Sequence, residues 1–123
     1  MQNELLTPAE NKACRLILAD KAGKHFFFTT NIIRMEASDN YTIVYFEGRR
    51  PFVVSKVLKV YEDLLKPFGF VRTHRSHLVN TNFIQSIQQF HIIMKDDSVA
   101  EVAVKRKTRI VKQLQKEMLL NAC

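Results

Sequence analysis

Phe70-Val71-Arg72-Thr73-His74-Arg75-Ser76-His77-Leu78-Val79-Asn80 is the stretch on which the reading of this chain turns. Its ends are strand-forming and apolar, while Arg72, His74, Arg75 and His77 crowd its middle. Read as one extended segment over residues 70–79, its side chains alternate between two faces. Thr73, Arg75 and His77 then share one face, and Arg72, His74 and Ser76 the other. Near the ends of a short strand both faces can reach a phosphate-lined partner. Arginine adds a planar fork of donors suited to phosphate and to guanine edges. A solvated edge strand, charged so that edges do not pair, accounts for the pattern equally well.

Upstream, the pattern is of short strands. Residues 15–19 and 25–30 are apolar, β-prone runs around Lys21-Ala22-Gly23, where Gly23 can supply the positive φ of a hairpin turn. Residues 32–37 and 41–47 are strand candidates separated by the turn-prone Ser38-Asp39-Asn40. Gly48-Arg49-Arg50-Pro51 is expected as the next turn and residues 52–54 as a short strand. Residues 55–66 predict a helix, with Ser55 as N-cap and Val57, Leu58, Tyr61, Leu64 and Leu65 as one apolar stripe. Pro67 and Gly69 end it.

Downstream, residues 83–90 hold a further extended run, and residues 91–94 and 99–104 flank the hairpin turn Lys95-Asp96-Asp97-Ser98. A terminal helix starts near residues 106–108 and runs towards Leu120, with Ile110, Val111, Leu114 and Met118 facing inward. The fold class is therefore mainly β with some helix: small antiparallel sheets, one internal helix and one C-terminal helix. Residues 1–13, which contain Pro8, read as an N-terminal arm, and residues 14–120 as one domain.

Charge favours a polyanionic partner. The chain carries 19 Lys and Arg against 12 Asp and Glu, a formal net of +7. The surplus is concentrated in the C-terminal part, where Lys105-Arg106-Lys107-Thr108-Arg109 is followed by Lys112 and Lys116. Cations at a helix start gain nothing from the helix dipole. Their placement there suits a phosphate ligand, which the free N–H groups would also favour. A solvated helix face is the plainer account. Ser38, Asp39, Asn40 and Tyr41 form a polar turn from which Asn40 could read an adenine edge, although asparagine is also ordinary turn chemistry.

Other chemistries find little support. Cys14 and Cys123 match neither a metal spacing nor a disulfide framework, as expected of a reducing cytosol. His74 and His77, read on opposite faces of one strand, have no Cys or acid pair to complete a metal set. The cysteines lack a positioned base for nucleophilic catalysis, and three glycines provide no phosphate loop. Neither an enzyme nor a bound cofactor is expected. No apolar run approaches a membrane span, and the N-terminus lacks a signal-peptide core, so a cytoplasmic protein without membrane insertion is expected. Phe26-Phe27-Phe28 must show at least one ring on an outer strand face unless the sheet is covered on both sides. It is a candidate core element and also a candidate partner or dimer surface.

These residues resemble the LytTR family, the DNA-binding domain of LytR/AlgR-type bacterial transcription regulators. The resemblance runs from residue 32 to residue 114. It is carried by residues 70–80, which are similar to the family's Phe-x-Arg-x-His-Arg-Ser-x-x-Val-Asn core. Met35-Glu36-Ala37, Asn40-Tyr41, the helix over residues 55–65 and Asn82-Phe83-Ile84 add to it. The resemblance implies an elongated arrangement of small β-sheets that contacts double-stranded DNA through inter-strand loops. Residues 38–41 would enter one major groove, Arg72 and Arg75 would lie on the backbone and minor groove, and Lys105 and Arg106 would enter the next major groove. His74, Ser76, His77, Lys107 and Arg109, from the same two basic stretches, complete the expected DNA-binding set. Two copies on promoter direct repeats are implied as well. The family's Ser-Arg pair before the last helix is Val104-Lys105 here, which keeps a charge but loses the bidentate fork. Only some 30 residues precede the matched region, so a receiver domain within the chain is not expected. The rival reading is an adaptor or antagonist that keeps the fold and binds a regulatory protein. RNA binding is disfavoured because the aromatics do not follow the RRM stacking pattern.

Overall fold

Strand-forming runs cut by short turns cannot make long sheets, and the described residues build three small ones instead. The computed structural model describes residues 15–122, with side chains to residue 119. The arm over residues 1–13, Cys14 and Cys123 lie outside the described residues. β1 (Arg15–Asp20) and β2 (Gly23–Phe28) form a hairpin. β3 (Ile32–Ser38), β4 (Tyr41–Phe46), β5 (Arg49–Val54), β6 (Phe70–His74) and β7 (His77–Asn80) form a five-stranded antiparallel sheet, in the order β5-β4-β3-β7-β6. β8 (Ile84–Gln88), β9 (His91–Met94) and β10 (Val99–Glu101) form a third sheet, ordered β10-β9-β8. α1 (Leu58–Leu65) lies between β5 and β6 in sequence, and α2 (Lys107–Ala122) closes the described chain. The expected mainly β fold with one internal and one C-terminal helix is the fold observed.

The five-stranded sheet is buried on both faces where it matters most. One core gathers Leu16, Leu18 and Phe27 of the hairpin with Leu58, Tyr61 and Leu65 of α1 and with Met35, Val44 and Leu78 of the sheet. The other joins Ile33, Val71 and Val79 of the same sheet to Ile84, Ile92 and Met94 of the third sheet and to Ile110 and Leu114 of α2. Neighbouring residues such as Leu78 and Val79 therefore serve different cores, which is why all four residues of β7 are buried rather than every second one.

Four local expectations need correction. Residues 70–79 are not one strand: Arg75 and Ser76 form a turn, and β6 pairs with β7 antiparallel, so that His74 faces His77. The alternation expected across this stretch fails with it. Thr73 and His77 are buried while Arg75 is exposed. Residues 49–51 are not a turn but the start of β5, where Pro51 is tolerated because β5 is an edge strand and its pairing is irregular at that point. The internal helix starts at Leu58, without a Ser55 cap. Thr42 donates from its hydroxyl to the Lys56 carbonyl at 2.7 Å and holds the lead-in extended. Leu58, Tyr61 and Leu65 are buried, but Val57 and Leu64 of the expected stripe stay exposed. Finally, β10 ends at Glu101 rather than near residue 104, and a 3-10 turn over Val104–Arg106 leads into α2.

Candidate nucleic-acid interface

Three turns that carry the predicted contact residues lie side by side at one end of the molecule. β3 ends at Ser38 and β6 at His74, and the two run the same way because each is antiparallel to β7 between them. The Ala37 N–H donates to the Ser76 carbonyl at 2.9 Å, which fixes the β3–β4 turn beside the β6–β7 turn. The Ala103 N–H donates to the Thr73 carbonyl at 2.7 Å, and the Thr73 hydroxyl donates to the Glu101 carbonyl at 2.8 Å. These two bonds bring the segment leading to Lys105 against β6. Thr73 is fully enclosed, so the junction is a dry one.

In the first turn, Ser38, Asp39, Asn40 and Tyr41 are all exposed, and Tyr41 shows half of its surface. Asp39 takes a φ of 54°, a conformation that Asp and Asn tolerate better than most residues. This lets a tight turn at Asp39 and Asn40 reverse the chain between Ser38 and Tyr41, which pair across it.

In the second turn, Arg75 is exposed, whereas Arg72 is committed internally. Arg72 donates through Nη1 to Glu62 Oε1 at 2.8 Å, through Nε to the His74 carbonyl at 2.9 Å, and through Nη2 to the Arg75 carbonyl. Its guanidinium is the strut of the turn that presents Arg75. The Ser76 N–H donates to His74 Nδ1 at 3.1 Å and fixes that ring too. His74 and His77 are not on opposite faces. Their rings meet edge-on at 5.7 Å, with Nε2 atoms 3.8 and 4.0 Å from the Glu101 carboxylate. Among the described residues no cluster of three or more such groups has the geometry to hold a metal. His77 is 6% exposed, and its Nδ1 has no hydrogen-bond partner. Burial pushes its imidazole below the ordinary value, opposed by Glu36 and Glu101 and aided by Arg34 and His74. Of the contact residues expected from sequence, His77 is thus the one enclosed in the described structure.

In the third segment, Lys105 and Arg106 are exposed on the 3-10 turn, and Lys107 opens α2 with its ammonium 4.8 Å from the Phe90 ring centre. Val104, Lys105, Arg106, Lys107, Thr108, Arg109 and Lys112 line one shallow depression. Arg106 and Arg109 also border a cleft against α1 whose two acids, Glu62 and Asp63, are paired with Lys59 and Arg72. Arg72 as a strut and Phe90 as a seat for Lys107 were not legible in sequence as such. The spacing of Glu62 from Arg72 carries no local signal, because the pair spans a helix and a strand.

The architecture defines a class of protein: a mainly β domain that gathers polar and basic turns at one end. The family model described as LytTr DNA-binding domain matches residues 23–115. The chain belongs to the LytTR family of DNA-binding domains. The match begins at β2, ahead of the point where the sequence resemblance becomes visible. Among solved structures, a LytTr DNA-binding domain from Bacillus cereus matches with a TM-score of 0.69 and 25% identity, covering 81% of this chain and 95% of that one. No curated protein matches. Among the described residues no helix is long and apolar enough to cross a membrane.

Proposed function

We propose that this LytTR domain is a sequence-specific regulator of transcription that grips double-stranded DNA with its row of three turns. Residues 38–41 enter one major groove, Arg75 and Ser76 follow the backbone and minor groove, and Lys105, Arg106 and Lys107 enter the next major groove. Arg72 and His74 hold the central turn in shape, and Arg109 adds charge at the margin. The observation that carries the reading is the hydrogen-bonded order of the three turns, from Ala37–Ser76 to Thr73–Ala103. It turns segments far apart in sequence into one contiguous surface. Two copies would occupy a repeated site in the cytoplasm.

The test is selection of bound fragments from a random duplex pool at about 0.15 M salt, where surface electrostatics is already well screened. A repeated short motif spaced near one helical turn, about 10 bp, is the expected outcome. Salt-sensitive binding to every fragment, with no motif recovered, would overturn sequence specificity.

A second reading is favoured by one observation. Phe26 and Phe28 are each 51% exposed, and Ile17 beside them is 53% exposed. Only Phe27 of the aromatic run enters the core, and Arg15 covers Phe26 and Phe28 at 5.2 and 5.5 Å. An outer sheet face of this kind suits a protein partner. Substituting Phe26 and Phe28 with serine should leave selection of the DNA motif unchanged. If the motif were lost, this face would belong to the DNA-bound assembly.

A further inference from the structure

The row of turns does not stop at Lys105. Val102 donates its N–H to the Phe90 carbonyl at 2.8 Å, and Glu101 pairs with His91. The β8–β9 turn therefore sits next in line after the basic segment, at the same end of the molecule. Lys107 over the Phe90 ring seals the contact. The turn is thus held rigidly against the residues that carry the positive charge, and a base-reading side chain needs that kind of support.

The composition of the turn is unexpected for its geometry. Gln88 pairs with His91, which leaves Gln89 and Phe90 as the two turn residues, and Gln89 takes a φ of 30°. Glycine, asparagine or aspartate adopts positive φ at lower cost, and hairpin turns favour them for that reason. Glutamine gains nothing locally from the position. Gln88 is tied back, its amide donating to the Ser86 hydroxyl at 3.3 Å. The Gln89 side chain is exposed and has no hydrogen-bond partner among the described residues. The turn carries no acid, so nothing on it repels a phosphate backbone.

We propose that the β8–β9 turn is a fourth DNA-contacting element, with Gln89 reading a base edge in the groove that receives Lys105 to Lys107. A glutamine amide matches adenine, offering one acceptor and one donor to N6 and N7. The proposal rests on the DNA-binding reading above and extends its footprint past the basic segment.

The experiment compares the wild type, Gln89→Ala, Gln89→Glu and Arg75→Ala on a motif-bearing duplex, on a scrambled duplex and on motif duplexes substituted one base pair at a time. Gln89→Ala should lose about tenfold on the motif and little on the scrambled duplex. It should also become indifferent to one A·T pair that the wild type discriminates. Gln89→Glu should lose more, on both duplexes. If both Gln89 variants bind like wild type and discriminate every position while Arg75→Ala is weakened, the turn faces solvent and the proposal fails alone. If the wild type shows no preference for any duplex, the DNA reading itself fails and takes this proposal with it.

Discussion

Replacing Arg72 with alanine removes a guanidinium that ties α1 to β6 and spans the β6–β7 turn. Three interactions go at once: the pair with Glu62 at 2.8 Å, the bond to the His74 carbonyl at 2.9 Å and the bond to the Arg75 carbonyl. Hydrogen bonds from a charged donor contribute about 1.5–3 kcal/mol each when shielded. Here the Arg72 side chain is 20% exposed and Glu62 is 31% exposed, so water recovers part of the loss and the ion pair itself is worth at most about 1 kcal/mol. Glu62 also keeps Lys59 at 3.7 Å, which limits the cost of leaving its carboxylate behind. The sum is a destabilisation of about 3 kcal/mol. For a domain near 100 residues this lowers Tm by roughly 10 °C or more. Arg72→Lys should retain the charge beside Glu62 but not both carbonyl bonds, and should lose about half as much. Arg75→Ala, with an exposed side chain, should stay within about 0.5 kcal/mol of wild type. Urea titration at neutral pH reads all three, and DNA affinity is measured in parallel at a temperature where every variant is folded. Arg75→Ala is expected to lose binding without losing stability, and Arg72→Ala to lose both. An Arg72→Ala midpoint equal to wild type, or an Arg75→Ala as unstable as Arg72→Ala, would refute the strut.

Other outcomes follow from the same geometry. Arg75→Ala should weaken specific DNA binding by about 1–3 kcal/mol and reduce its salt slope, while Lys116→Ala should do much less; equal losses in a filter-binding series would point to diffuse electrostatics. His77 is held neutral by burial, so its folded pKa lies below its unfolded one. Its contribution to stability is complete above the unfolded value near 6.5 and is lost as pH falls from there through the folded value. Stability measured by urea should therefore drop between pH 7.5 and 5.5, and His77→Gln should flatten that drop. Leu114→Ala, at a fully enclosed position of the second core, should cost about 2–5 kcal/mol by calorimetry and loosen α2 against the third sheet. A smaller loss would mean that α2 contributes little to that core.

Much of the fold was legible because its signals are local. Gly23 at a φ of 139°, the turn at Asp39 and Asn40, and Gly69 after α1 each mark a boundary by backbone chemistry that any sequence window contains. The apolar positions Ile110 and Leu114 identify the core side of α2 by helical spacing alone. The Arg75–Ser76 turn has neither glycine nor proline and lies within a β-prone run, so nothing local announces the reversal of the chain there. The same reversal decides what the cations do. Once β6 folds back on β7, Arg72 meets Glu62 and two turn carbonyls, His77 is enclosed, and Arg75 alone of the three stays free. The sequence by itself determined the strand-rich class, the basic segment at the start of α2 and the polar turn at residues 38–41. Only the tertiary structure decided which of these segments form one surface. Turn chemistry and periodicity act over a few residues. The bonds that align the turns, Ala37 to Ser76 and Ala103 to Thr73, join residues whose proximity depends on the packing of the whole sheet.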